Sequence, residues 1–396
     1  MLILRNCKFI NFLTEDIDFE TGDIIIEGDT IKEITKPNVF HDEHYQEIDV
    51  QGKTVMPGII DMHVHLSFVR PTQAEILILD GPSFAFDCLK YAQHLLNIGV
   101  TTARDVGDDK SFPTVALRNA VDEGIVKGPR VIASGSTLCP HEPGVDIMEN
   151  LLEYVTGPME MRRLVRQNFQ KGADFIKLYG SGSMMAFESE PGVRILEEDE
   201  IKEAVKIASL RGSHVAMHAH GTEAIDVGVK AGVRTIEHAS FISDDTLKYL
   251  EGKTDQGIVP TLAILQDLIY SNDYAEFENA RDKVNQLKKQ VQASLSNAAN
   301  YDVLIGWGTD VSYDSYKKNP CSEFKMRKEF LGYENKEILK QATINSAKLL
   351  MLDDKIGTVK ANKQADLIIV DGDPVEDISV MYDIPSHVIK SGEWIR

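Results

Sequence analysis

The chain has 396 residues, 43% of them hydrophobic, and carries a net charge of −20. That length exceeds one ordinary domain and is enough to bury a sizeable core, while the acidic excess disfavours binding to a nucleic-acid backbone or an anionic membrane. The four cysteines, Cys7, Cys88, Cys139 and Cys321, form no Cys-x-x-Cys pair, which argues against a disulfide framework or a thiolate zinc site and fits a reducing compartment.

The segment Met1–Asn6 lacks a basic region followed by an apolar core, and no run of about 18 apolar residues follows. The expected location is therefore cytoplasmic. Residues 1–55 read as short Ile- and Leu-rich strands at 1–10, 23–27 and 30–34, with Gly28-Asp29 as a hairpin turn. From Val55 short apolar strands alternate with helical stretches, as parallel βα units do. Eight candidate strands are Val55–Leu66, Val100–Val106, Arg130–Ser134, Phe175–Gly180, His214–His220, Thr235–Ser240, Gly257–Leu262 and Val303–Asp310. Helical stretches between them include 83–97, 159–171, 198–211 and 275–300. Gly99, Gly172 and Gly232 stand where such helices end, a position that favours the left-handed conformation.

Eight such units make an α/β fold of the (β/α)8 TIM barrel type, which takes roughly 250 residues. No glycine-rich fingerprint follows the first strand, which removes the open dinucleotide-binding sheet. The tail, with 357–359, 365–370 and 387–395 as candidate strands, is again β-like. Both ends are too short to fold alone, so they are expected to pair into one small sheet domain beside the barrel.

Charged and imidazole side chains fall at the C-terminal ends of the expected strands: His63 and His65, Lys177, His218 and His220, His238, and Asp310. Barrel enzymes place their chemistry there. Residues two apart on a strand face the same way, so His63 and His65 form half of a metal site. Singly, each residue has an ordinary role, as a hydrogen-bonded histidine, a snorkelling lysine or a capping aspartate. Their joint placement on strands one, four, five, six and eight points to metal-dependent chemistry.

This arrangement resembles the amidohydrolase superfamily, in its imidazolonepropionase-related branch, which includes Xaa-Pro dipeptidase-like, carboxypeptidase-like and ochratoxinase-like enzymes. The resemblance rests on Pro57-Gly58-Ile59-Ile60-Asp61-Met62-His63-Val64-His65, Gly99–Gly107, His218-Ala219-His220-Gly221, Ile236-Glu237-His238-Ala239 and the tail Ile356-Gly357-Thr358-Val359 with Ala365-Asp366-Leu367. It implies a barrel over 56–350 and a small β-sandwich domain built from 1–55 and 351–396. It further implies two divalent metal ions, with zinc as the metal. His63 and His65 would hold one ion with Asp310, His218 and His238 the other, and Lys177 would bridge them as a carbamate. A neutral lysine amine can add carbon dioxide, so the site must lower its pKa.

On this resemblance a metal-bridged hydroxide would attack an amide bond, with Asp310 carrying the proton to the leaving amine. His220 faces the same way as His218 and could replace it as ligand; the resemblance gives the ligand role to His218 and substrate contact to His220. His141, on the loop after strand three, is expected to steady the carbonyl oxygen. It sits in Pro140-His141-Glu142-Pro143 where related sequences carry a Gly-Gly-His-Gly type loop. Tyr179 is expected against substrate.

Segments 67–82, 136–157 and 311–324 are expected to cover the barrel mouth, with Arg70, Lys317 and Lys318 as candidates for meeting a substrate carboxylate. The expected substrate is a small-molecule amide, a dipeptide or an N-acyl amino acid, with no nucleic acid or membrane partner. The resemblance also implies a homo-oligomer. Alternatives are a mononuclear deaminase or cyclic-amide (imidazolone-type) hydrolase of the same superfamily, which generally lack the strand-four lysine, and a non-catalytic scaffold.

Overall fold

The computed structural model describes residues 1–70, 79–143, 151–184, 190–270 and 278–396, without the side chains of 278–280. Both chain ends build one eight-stranded sheet. Its strands are β1 (Leu2–Phe9), β2 (Thr21–Glu27), β3 (Thr30–Thr35), β4 (Gln46–Asp49) and β5 (Thr54–Pro57) from the N-terminal part. The order is completed by β16 (Leu367–Val370), β17 (His387–Lys390) and β18 (Glu393–Trp394) from the tail. The alternation of β1 sends Leu2 and Leu4 into the main core of this sheet and Ile3 to the opposite face with Ile25 and Tyr45. Backbone bonds from Ile31 to Lys363 (2.8 Å) and from Asn362 to Ile31 (2.7 Å) bring edge strand β3 back to the segment entering β16. The sheet thus curls around its own apolar core. The expected Gly28-Asp29 hairpin joins β2 to β3, with Gly28 at φ 63°.

The barrel strands are β6 (Ile59–Val64), β7 (Val100–Asp105), β8 (Arg130–Ala133), β9 (Thr137–Cys139), β11 (Ile176–Tyr179), β12 (Val215–Ala219), β13 (Thr235–His238), β14 (Gly257–Val259) and β15 (Leu304–Ile305). All ladders between them are parallel. Met62 donates to Trp307 O (2.8 Å) and Asp310 to His63 O (2.8 Å), which closes β15 onto β6. On the other side β8 pairs with β7, and β9 pairs with β11. The third stave is therefore bipartite, broken at 134–136, where the sequence suggested a single strand ending at Ser134. A short β10 (Leu152–Tyr154) adds outside β9. The glycines after three helices adopt the expected left-handed conformation, with φ 98°, 104° and 94° at Gly99, Gly172 and Gly232.

Two expected strands prove to be pairs. Val55–Leu66 divides at Gly58: β5 joins the terminal sheet and β6 the barrel. Gly58 lies so close to Thr101 that a Cβ would sit 2.2 Å from its Oγ1, which only glycine permits. The tail segment 387–395 is a hairpin of β17 and β18, turning at Ser391 and Gly392 with positive φ at both. Of the segments expected over the mouth, 71–78 and 144–150 lie outside the described residues; 311–324 contains a short helix, Tyr313–Lys318. Among the described residues no helix is long and apolar enough to cross a membrane.

Candidate metal centre

The C-terminal ends of β6, β11, β12 and β13 and the segment after β15 bring His63, His65, Lys177, Tyr179, His218, His220, His238 and Asp310 to the wall of one cavity. Nitrogen and oxygen atoms of His218, His220 and His238 lie within 4.8 Å of one another, as do those of His63, His238 and Asp310. His238 thus belongs to both triads. His65 Nε2 stands 3.5 Å from Asp310 Oδ1, the same distance as His63 Nε2. His220, for which the sequence left a ligand role open beside the favoured contact with substrate, stands as close to His218 and His238 as a ligand would.

Each imidazole is held at one nitrogen. His63 Nδ1 donates to Glu237 Oε2 at 2.8 Å, and His65 Nδ1 faces Gly107 O at 3.5 Å. His220 Nδ1 pairs with Ser240 Oγ (2.8 Å) and His238 Nδ1 with Thr261 Oγ1 (2.7 Å). His218 is turned the other way, with Nε2 on Gly182 O at 3.2 Å and its ring stacked on Tyr179, centroids 4.1 Å apart. A carboxylate or carbonyl oxygen only accepts, so the hydrogen sits on Nδ1 of His63 and on Nε2 of His218, leaving the second nitrogen as a lone-pair donor. Burial, reinforced by nearby cationic groups, holds all five rings below their ordinary value; His65 and His220 fall to about 3. Neutral, oriented imidazoles with a carboxylate form a donor set that fits a borderline divalent cation such as zinc.

Backbone strain contributes to this arrangement. Glu237 and His238 are neighbours on one strand, where alternation would point them to opposite faces. His238 takes φ 69° and Ala239 φ 50°, so the chain leaves the strand geometry and both side chains reach the site. Asp310, at φ 58°, does the same after β15. These are uncommon conformations for residues with a Cβ. Burial raises Asp310 to about 7 against the opposing pull of Lys177, and burial lowers Lys177 to about 8 against Glu237 and Asp310.

Several residues that carry this geometry have no role in the sequence-based expectation. Glu237 Oε1 accepts from Arg104 Nη2 (2.7 Å) and Thr235 Oγ1 (2.6 Å), so a fully buried ion pair supports His63 from below. Asp61 accepts from Thr309 Oγ1 (2.7 Å), Tyr316 Oη (3.0 Å) and the His63 amide (3.1 Å). The available signal was a charge inside an apolar strand: Asp61, Arg104 and Glu237 all sit in such runs, and a buried charge requires a partner.

His141 is not brought to the cavity. Its ring is exposed and stacks on Tyr154 of β10, centroids 3.9 Å apart. Tyr179 does line the cavity, and its ring also backs His218. Arg70 is turned to Asp87 (2.6 and 3.1 Å), and Lys317 and Lys318 are exposed.

The Amidohydrolase family profile matches residues 54–395. Ochratoxinase from Aspergillus niger is 25% identical over 377 residues, covering 86% of this chain and 75% of the relative. Imidazolonepropionase from Picrophilus torridus is 23% identical over 398 residues, 91% of this chain and 88% of the relative. Among solved structures, a prolidase complexed with N-methylphosphonate-L-proline aligns with a TM-score of 0.89 at 30% identity, covering 100% of this chain and 99% of that one. A Xaa-Pro dipeptidase with bound methionine in its active site aligns at 0.87 and 28% identity, again over 100% and 99%. Divalent-metal dependence is typical of this family, and the histidine clusters suit it. With the match running from β5 of the terminal sheet through the whole barrel to the tail, the chain belongs to the amidohydrolase family and is a hydrolase of carbon–nitrogen bonds.

Proposed function

We propose that this protein cleaves the amide bond of a dipeptide or an N-acyl amino acid, with two divalent cations at the cavity and Asp310 as the proton carrier. The observation that carries the reading is the convergence of five neutral imidazoles, four of them buried and His65 partly so, with Lys177 and Asp310 on one cavity. The prolidase and Xaa-Pro dipeptidase relatives support a dipeptide as substrate. In this reading His63, His65, Lys177 as its carbamate, His218, His238 and Asp310 hold the cations. Bound there, two zinc ions would supply Lewis acidity toward the scissile carbonyl and toward water.

The chain's own residues do the rest. Burial keeps the Lys177 amine neutral above about pH 8, the form that adds carbon dioxide with release of a proton. Asp310, at the cavity wall beside His63 and His65, takes a proton from water and returns it to the departing amine. His220, held by Ser240, and Tyr179 line the cavity where substrate would lie. His141, stacked on Tyr154, takes no step here.

The test is metal content by elemental analysis of protein prepared with zinc and bicarbonate, beside Lys177→Ala, followed by a screen of dipeptides and N-acyl amino acids. Two metals per chain, a loss in the variant and release of free amino acid are expected. One metal in both proteins would favour the mononuclear deaminase or cyclic-amide reading. No metal in either would favour a non-catalytic scaffold.

A further inference from the structure

The helix Leu262–Tyr270, which follows β14, is apolar except at Gln266, Asp267 and Tyr270. An apolar helix is ordinarily enclosed by protein on all sides. Here Leu262, Ile264, Leu265 and Leu268 line the catalytic cavity, joined by Leu295 from the helix Glu278–Asn297. At roughly 3.6 residues per turn, Ile264, Leu265 and Leu268 fall within about 100° of the helix and share one face, with Leu262 beside it in the first turn. The wall is anchored: Glu323 accepts from the amides of Leu262 (2.9 Å) and Ala263 (2.7 Å). Arg327 holds Glu323 (2.8 Å) and the carbonyl of Pro260 (2.9 Å).

The charged groups lie elsewhere. Among the described residues lining the cavity, the ionisable ones are the five histidines, Lys177, Tyr179 and Asp310, all of which the proposed chemistry uses. Arg70 is engaged by Asp87, and Lys317 and Lys318 lie outside the lining. A charged substituent against the leucine wall would lose its water and gain no described partner. An apolar one would remove both its own surface and the wall's from water.

We propose that the cavity wall formed by Leu262, Ile264, Leu265 and Leu268 is a specificity subsite for a bulky, uncharged apolar substituent of the amide substrate. This deepens the amide-hydrolase reading and rests on it. The shared chemistry is an aliphatic or aromatic side chain, which belongs either to the acyl half or to the amine half of the substrate.

The experiment uses metal-loaded enzyme and two dipeptide series. One varies the acyl residue among Gly, Ala, Leu, Phe, Asp and Lys at a fixed leaving amino acid; the other varies the leaving residue in the same way. In one series kcat/KM should rise about tenfold or more from Ala to Leu or Phe, the range that methylene groups give in an apolar pocket, and fall for Asp and Lys. Leu268→Ala should flatten the preference, and Leu265→Arg should shift it toward Asp, with metal content unchanged and a cooperative, if lower, melting transition in both. Equal rates across side chains, or variants that keep the parental profile, would overturn the subsite. Calorimetric binding of leucine, phenylalanine and aspartate to the loaded enzyme separates the two claims. Tighter binding of the apolar amino acids without turnover of any amide would keep the subsite and refute the reaction; turnover without that binding preference would do the reverse.

Discussion

Replacing Glu237 by glutamine tests the support beneath the histidine cluster. Three donors converge on its two oxygens: His63 Nδ1, Arg104 Nη2 and Thr235 Oγ1. A glutamine offers one oxygen and an NH2 group, so one of these donors then faces another donor. Arg104 is fully buried, and its guanidinium loses the carboxylate it pairs with. Removing one member of a buried ion pair costs about 3–5 kcal/mol, a large share of the roughly 5–15 kcal/mol that holds a folded protein together. Separately, His63 loses the acceptor that orients it, and such losses weaken metal binding about 10–100-fold.

Urea unfolding of the metal-free protein reads the first effect, and zinc titration against a competing chelator reads the second. The double variant Arg104→Met/Glu237→Gln separates them. Removing the stranded charge should recover part of the stability, limited by the Met62 carbonyl that Arg104 also serves at 2.6 Å. Zinc affinity should stay low, since His63 still lacks its carboxylate. If Glu237→Gln unfolds like the parent and binds zinc as tightly, this pair does not support the site.

Asp310→Asn should leave metal bound and lower kcat by about 10²–10⁴-fold, the range of a lost general acid–base; unchanged turnover would remove it as the proton carrier. Metal loading should release protons and strengthen between about pH 6 and pH 9, because Asp310 near 7 and Lys177 near 8 must both give up a proton first. Calorimetry in two buffers of different ionisation enthalpy measures that release, and none would contradict the assignment. In the metal-free protein the two groups act oppositely on stability. Asp310, raised above its unfolded value of 3.8, contributes most below about pH 4 and loses that contribution as pH rises through 7. The cost of burying Lys177, lowered from 10.5, is absent above about pH 10.5 and complete below about pH 8. Gly308→Ala would place a Cβ 2.7 Å from both His63 Cβ and Val259 Cγ1; the overpacking should cost about 1–3 kcal/mol in unfolding free energy and weaken zinc binding, and a stable, tight-binding variant would show that β6 can yield there.

What the sequence could determine was local. Strand alternation makes His63 and His65 face one way whatever surrounds them, and the glycines that end helices at 99, 172 and 232 announce themselves by the conformation only glycine adopts freely. Each barrel strand carries its own apolar run, so the eight staves and the residues at their C-terminal ends were readable one at a time. Tertiary structure decided everything that depends on partners far apart in the chain. Gly58 divides one apolar run between two sheets because Thr101 crowds it, and the third stave breaks because β8 and β9 serve different neighbours. His141 is exposed and stacked on Tyr154, far along the chain from the strand ends that build the site. Glu237 supports His63 across 174 positions of sequence, and His238 joins it at the site through a left-handed backbone that no periodicity encodes. Hydrogen-bond partners across a barrel are chosen by the closure of the sheet, and that closure is a property of all eight strands together.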